Sequence, residues 1–223
     1  MSAYHNVSEL KRLFEDPDAL LLPEKDPLVN DGDTKIDLSL AEPDFLQKNQ
    51  SDQKISSAQR GTATHLLLEK MDWNRQIDES YLQKLAEETI DDPQLAASVD
   101  LSGIMWLVSS DLGRMIKKHV DSLQREQTFA MLIPAGKLYK QVKSDDPVLV
   151  HGIIDGYFVE NDGIVLFDYK TDQAYGQDYS QRLKKRYLGQ INLYAQALQS
   201  IYPDKKIKEK VLVGLQGKRL IKI

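Results

Sequence analysis

The 223 residues predict an α/β fold with a mixed central sheet and an N-terminal helical layer, on three observations. Apolar residues recur with a helical period from Ser57 to about Val120, the period becomes that of strands between about Arg125 and Thr171, and a long amphipathic stretch then precedes two final strands. Ser8 to Phe14 reads as a short helix capped by Ser8, with Leu10, Leu13 and Phe14 on one side. Glu15 to Lys54 carries four of the eight prolines and eleven acidic residues against four basic ones, without sustained periodicity, and reads as a linker or extended wrap. Helices are expected at Ser57–Met71, with Leu66, Leu67 and Met71 inward, at Glu79–Thr89, and around Ile104–Val108 and Leu112–Val120.

Strands are expected at Thr128–Pro134, Lys137–Val142, Val148–Glu160 and Gly163–Thr171, with Asn161-Asp162-Gly163 marking a hairpin turn. The long helix runs from about Asp178 to Ile201, with Leu183, Tyr187, Ile191, Tyr194 and Leu198 on its apolar side, and strands Lys208–Leu215 and Lys218–Ile223 end the chain. The division that follows is 1–54 as helix and acidic linker, and 55–223 as one domain with a helical layer (55–125) and an α/β core (126–223).

Composition narrows the chemistry. With 41% hydrophobic and 28% charged residues the chain is globular. No apolar run approaches the ~18–20 residues of a membrane span, and residues 1–10 lack a signal pattern, so a cytoplasmic protein is expected. The absence of Cys excludes disulfides, thiolate nucleophiles, iron–sulfur clusters and Cys-bound zinc. Any metal must be bound by carboxylates, His and carbonyl oxygens, which favours Mg²⁺ or Mn²⁺. The net charge is −5, yet Thr171–Ile223 holds eleven Lys and Arg against four Asp and Glu, either a polyanion-binding segment or a solvated basic face. No phosphate loop or dinucleotide fingerprint is present, which argues against nucleotide hydrolysis within this piece.

The chemistry concentrates between His151 and Thr171. Residues two apart on a strand share a face, so Asp168 and Lys170 are neighbours. If the turn is Asp162-Gly163, Asp155 lies opposite Lys170; if it is Asn161-Asp162, Asp155 faces Asp168. Either register puts all three on one face, with directly opposed Cβ atoms ~4.5–5.5 Å apart. Two carboxylates at that distance can grip one cation, and a lysine beside them can orient a water and offset charge on a phosphorane. The plain alternative is a surface hairpin with an Asp–Lys pair, but the apolar flanks Val148-Leu149-Val150 and Ile164–Phe167 place these charges at the end of buried strands.

Taken in order, Gly61-Thr62-Ala63-Thr64-His65, Gly152-Ile153-Ile154-Asp155, Asp168-Tyr169-Lys170-Thr171 and Gln190-Ile191-Asn192-Leu193-Tyr194 resemble the RecB-like branch of the PD-(D/E)XK nuclease superfamily. The likeness is strongest to the C-terminal nuclease domains of the AddA/RexA type. It implies a restriction-endonuclease-like fold and a Mg²⁺-dependent DNA nuclease, with Mn²⁺ able to substitute, cutting single strands exonucleolytically in double-strand-break repair. It also implies a helicase motor on the same chain and a second subunit of AddB/RexB type. The metal ligands implied are His65, Asp155, Asp168 and the Tyr169 carbonyl, with Lys170 catalytic and Gln190 near the scissile phosphate. His65 read alone is more often a packed, hydrogen-bonded helix histidine, and its assignment as a ligand rests on the resemblance. Arg182, Arg186, Gln190 and Tyr194 recur every four residues as a stripe able to follow a DNA backbone, though Tyr194 is equally a core residue. Glu126 matches a recurrent glutamate of the family and is given a supporting role. The alternative is a nuclease fold that binds DNA or docks without cutting.

Overall fold

The computed structural model describes residues 4–6 (backbone), 55–138, 144–174, 176 and 178–223. The expected helix at Ser8–Phe14 and the linker to Lys54 lie outside the described residues. Helix α1 (Ser57–Lys70) begins with a reciprocal cap, in which Gln59 N donates to Ser56 Oγ and Ser56 N donates to Gln59 Oε1. Asp78 caps α2 (Glu79–Thr89), Asp92 caps α3 (Pro93–Ala97), Asp100 caps α4 (Leu101–Ser109) and Ser110 caps α5 (Asp111–Lys118). Helix α3 is not among the expected elements, although Asp92-Pro93 is a start signal, with proline where its missing N–H costs nothing.

Among the described residues, six strands form one mixed sheet. Strand β1 (Tyr4–Asn6) is parallel to the start of β3 (Pro147–Glu160), while β2 (Leu123–Pro134) runs antiparallel along nearly all of β3. Strand β4 (Gly163–Lys170) pairs antiparallel with Gly156–Glu160. Since β2 occupies one edge of β3, β1 and β4 share the other, and on that second edge no described strand pairs with positions 152–155. Strand β4 then pairs parallel with β5 (Ile207–Gly214), which pairs antiparallel with β6 (Arg219–Lys222). The crossover between β4 and β5 is helix α7 (Tyr179–Ile201).

Two apolar cores lie on opposite faces of the sheet. Leu67, Met71, Leu82, Ile104, Leu107 and Ile116 of the helical layer pack on Phe158, Val165, Phe167, Tyr169 and Val213. On the other face α7 presents Leu183, Tyr187, Ile191, Tyr194 and Leu198 to Val150, Ile154, Tyr157, Leu166 and Leu212. The period-2 alternation of β4 divides it cleanly, Val165, Phe167 and Tyr169 toward one core, Ile164 and Leu166 toward the other. This is the mixed sheet with helical layers that the sequence pattern predicts.

Two boundaries differ. The sequence pattern predicts a strand at Lys137–Val142, but Lys137 and Leu138 belong to a helical turn, α6 (Ala135–Leu138), entered directly from β2, and 139–143 are outside the described residues. Strand β2 starts at Leu123, because its first residues pair with Phe158 and Tyr157 even though they show no alternation of their own. Among the described residues no helix is long and apolar enough to cross a membrane.

Candidate active site

The β3–β4 hairpin closes on Asn161-Asp162, with Glu160 paired to Gly163, which selects the register that sets Asp155 against Asp168. Gly163 is used for close packing and not for the turn: a Cβ there would lie 2.5 Å from the Lys206 carbonyl oxygen. The backbone ladder ends at Gly156–Phe167, one pair short of Asp155 and Asp168. There the Asp155 carboxylate takes over, its Oδ2 accepting the Tyr169 N–H at 2.7 Å.

The expectation that one face carries all three charged groups needs correction at Asp155. Ile154 and Phe158 are an even number apart yet face opposite cores, so the alternation of β3 slips between them. Strand β2 slips at the same level: Leu123 packs toward the helical layer, Phe129 toward α7, and between them Glu126 adopts φ 48°, a left-handed conformation costly for a non-glycine residue. Asp155 therefore sits at a seam that both layers can reach, while Asp168 and Lys170 approach from the α7 side of β4.

His65 arrives from α1. A Cβ at Gly61, one turn earlier, would lie 2.9 Å from Thr171 Oγ1, so the glycine lets α1 close on the end of β4. At the other end of α1, Arg125 Nη1 donates to the carbonyls of Met71 (2.6 Å) and Leu68 (3.3 Å). A guanidinium from β2 thus fixes the C-terminal turn, where the helix dipole favours a cation. Between these anchors His65 Nδ1 stands 3.5 Å from Asp155 Oδ2, and its ring meets Tyr169 edge-on at 6.1 Å.

Lys170 Nζ is 2.6 Å from Asp168 Oδ2, donates to Gln190 Oε1 at 3.0 Å and lies 4.1 Å from the centre of the Tyr187 ring. Gln190 Nε2 in turn donates to the Tyr194 hydroxyl at 2.8 Å. Asp155, Asp168, Lys170 and Gln190 are all buried, Asp168 being only 1% exposed. Asp168 Oδ1 is buried without a hydrogen-bond partner among the described residues. A solvent-shielded carboxylate oxygen in that condition is costly unless something positive is to meet it.

Electrostatics separate the two aspartates. Burial acts to raise Asp155, but the facing His65, then Lys170 and the Tyr169 amide, outweigh it and leave its carboxyl below the ordinary value. Burial raises Asp168 to about 6, the Lys170 charge only partly opposing it. Burial would lower His65, yet the charge and contact of Asp155, with Asp168 behind it, leave the imidazole raised. Burial and the Asp155 charge push Glu126 up to about 7. His65, Glu126 and Asp155 each place a donor atom within 4.8 Å of the others, so the glutamate lies closer to the centre than a supporting role implies. Its signal is present in the sequence only as family position. The donors are a neutral-capable imidazole and carboxylates, the set that hard divalent cations take.

Tyr169 engages this centre through its amide, and its ring packs in the helical-layer core. Arg182 and Arg186 line a groove of about 700 Å³ with Ser57, Thr171, Gln173 and Tyr187. The stripe of four does not continue along that groove: Gln190 is buried against Lys170, and Tyr194 is in the core against Phe129. Sequence reasoning passes over Asp172, whose carboxylate takes the Tyr187 hydroxyl (2.8 and 3.0 Å) and Arg186 Nη1 (2.7 Å). It lies just past the end of β4, where strand periodicity no longer locates a side chain.

Comparison with known proteins places the chain among nucleases. An ATP-dependent helicase/nuclease subunit of Oenococcus oeni is 57% identical over 221 residues, covering 99% of this chain and 18% of that protein. The proteins of that description from Pediococcus pentosaceus and Leuconostoc mesenteroides are 39% and 38% identical, covering 100% of this chain and 18% and 19% of their own lengths. The chain spans less than a fifth of these relatives. Residues 39–220, most of the chain and the span within which all four motifs lie, match the PD-(D/E)XK nuclease superfamily, and the chain belongs to that superfamily.

Proposed function

We propose that this chain is the nuclease domain, residues 55–223, of a longer helicase–nuclease, and that it hydrolyses DNA phosphodiester bonds with Mg²⁺, or Mn²⁺ in its place. The observation that carries the reading is the meeting of half-buried His65 with buried Asp155, beside buried Asp168 and Lys170, one Asp168 oxygen having no hydrogen-bond partner among the described residues. Asp155, Asp168 and His65 would hold the cation, with the Tyr169 carbonyl completing the set by resemblance. A divalent cation bound there polarises the scissile phosphate and lowers the pKa of a bound water.

The chain's own groups do the rest. Lys170, fixed by Asp168 and Gln190, presents an ammonium that orients the attacking water and offsets negative charge as it grows on the phosphoryl oxygens. Burial of the cluster excludes bulk water, so each charge acts with less screening than at the surface. Arg182 and Arg186 in the adjoining groove suit backbone phosphates and would guide a strand toward Lys170 without reading its sequence.

Names of the relatives support a motor on the same chain, from which single strands would be fed for exonucleolytic cutting in double-strand-break repair in the cytoplasm. A second subunit of AddB/RexB type is proposed from the motif resemblance. The test is cleavage of labelled single-stranded DNA by the full-length protein with Mg²⁺ and with chelator. Asp155→Ala and Asp168→Ala should each abolish cutting while DNA binding persists. Mg²⁺-dependent cleavage surviving in either variant refutes the assignment, and DNA binding without cleavage in the unaltered protein would establish a binding module instead.

A further inference from the structure

Lys170 has a third partner, and its surroundings are built with care. The ammonium sits 4.1 Å from the Tyr187 ring centre, and Tyr187 is 5% exposed, so this cation–π contact is formed largely out of water. The ring cannot swing away, because its hydroxyl donates to both oxygens of Asp172. Asp172 is itself fixed by Arg186 at 2.7 Å. Burial and the Asp172 charge hold the Tyr187 phenol well above its ordinary value, so it remains a donor. Tyr187 and Gln190 are three apart on α7, one turn, and the two side chains bracket Lys170 from the same helix.

From this geometry we infer that Asp172 and Tyr187 are a positioning pair for Lys170, keeping its ammonium aimed at the reacting phosphate when Asp168 is engaged by the metal. The inference rests on the nuclease reading above. Asp168 Oδ2, 2.6 Å from the ammonium, is its shortest contact. Once that carboxylate serves a divalent cation its charge is shared, and the cation repels the ammonium at short range. The Gln190 carbonyl and the Tyr187 ring are the contacts that do not depend on Asp168. A hydrogen bond from the phenol to an anionic carboxylate also leaves the ring more electron-rich, which strengthens its face as a seat for a cation. Neither residue belongs to the motif series that ends at Thr171 and resumes at Gln190.

The test is single-turnover cleavage of a labelled single-stranded oligonucleotide by the full-length protein at saturating Mg²⁺, with Mn²⁺ affinity and KM for DNA measured in parallel. Tyr187→Leu removes the seat and should lower the cleavage rate about tenfold or more, with Mn²⁺ affinity unchanged and KM changed by much less than the rate. Tyr187→Phe, which keeps the ring but not its anchor, and Asp172→Asn, which weakens the anchor, should each lose less. In a Lys170→Met background Tyr187→Leu should have no further effect on the residual rate, because the pair acts only through the lysine. Full additivity of the two substitutions, or a loss confined to KM or Mn²⁺ affinity, overturns the inference. Absence of cleavage by the unaltered protein would instead overturn the nuclease reading.

Discussion

Protons and the metal should compete for the same atoms, and the structure fixes the range in which they do so. Asp168 is raised to about 6, so it is about nine-tenths ionised at pH 7 and about one-tenth at pH 5. A ligand that must be ionised to bind then costs about tenfold in apparent affinity over those two pH units, from this group alone. His65 is raised as well, and a ligating imidazole must be neutral, so a second proton competes with the metal as pH falls. The direction is the same for both: a raised pKa means the proton is kept to higher pH, and metal is lost as pH falls. Asp155 is lowered and stays ionised through this interval. Mn²⁺ affinity measured by titration from pH 7 to pH 5 should therefore fall by more than the tenfold that Asp168 alone explains, and His65→Ala should bring the loss back toward tenfold. The same loss should appear as a smaller metal-induced stabilisation at fixed metal concentration, about 1.4 kcal/mol for each tenfold drop in affinity. An affinity that is flat between pH 7 and 5, or an undiminished loss in His65→Ala, would refute the assignment of Asp168 and His65 as ligands.

Gly61→Ala should lower Mn²⁺ affinity by pushing α1 from Thr171, at about 1–3 kcal/mol of stability, and Thr171→Ala should restore both by removing the hydroxyl that a Cβ would meet at 2.9 Å; no rescue in the double variant would count against the packing argument. Gly156→Ala places a methyl 2.2 Å from the Phe167 ring and should lower the melting temperature by several degrees or prevent folding, with a wild-type melting curve the contrary result. Arg125→Met leaves the Met71 and Leu68 carbonyls without their donor and should cost about 1–2 kcal/mol in thermal or denaturant unfolding while weakening Mn²⁺ binding through His65; loss of stability without loss of affinity would show that α1 is positioned by other contacts.

The spacing of Asp168 and Lys170 on one strand is legible at once, since period 2 and apolar flanks suffice to put them together at the end of a buried strand. The register of Asp155 is not, because Asn161-Asp162-Gly163 offers two turns, and what packs on Gly163 in the folded chain is the Lys206 carbonyl, some forty positions later. The slip at Glu126 and Asp155 is equally hidden: simple alternation assumes an unbroken strand, and nothing local announces a left-handed glutamate. Strand β1 is three residues that form only by pairing with β3, some 140 positions later, which no window along the sequence can anticipate. His65 can be tied to the centre by motif resemblance alone, since the anchors at Gly61 and Arg125 are contacts between distant segments. The capped helices and the apolar stripe of α7 are readable because their signals are local.

The Asp155 carboxylate, standing in for a missing rung of the β3–β4 ladder, makes the Tyr169 amide proton a reporter of events a few ångströms away. That proton is shielded and held by a side chain and not by another strand, so its exchange with solvent records how firmly one carboxylate is pinned. Anything that draws Asp155 toward a new charge stretches the bond and shifts the amide resonance, and a paramagnetic ion would erase it. One nitrogen in the backbone can thus be watched to follow loading of the centre in real time, with no label on the DNA and no chemistry taking place.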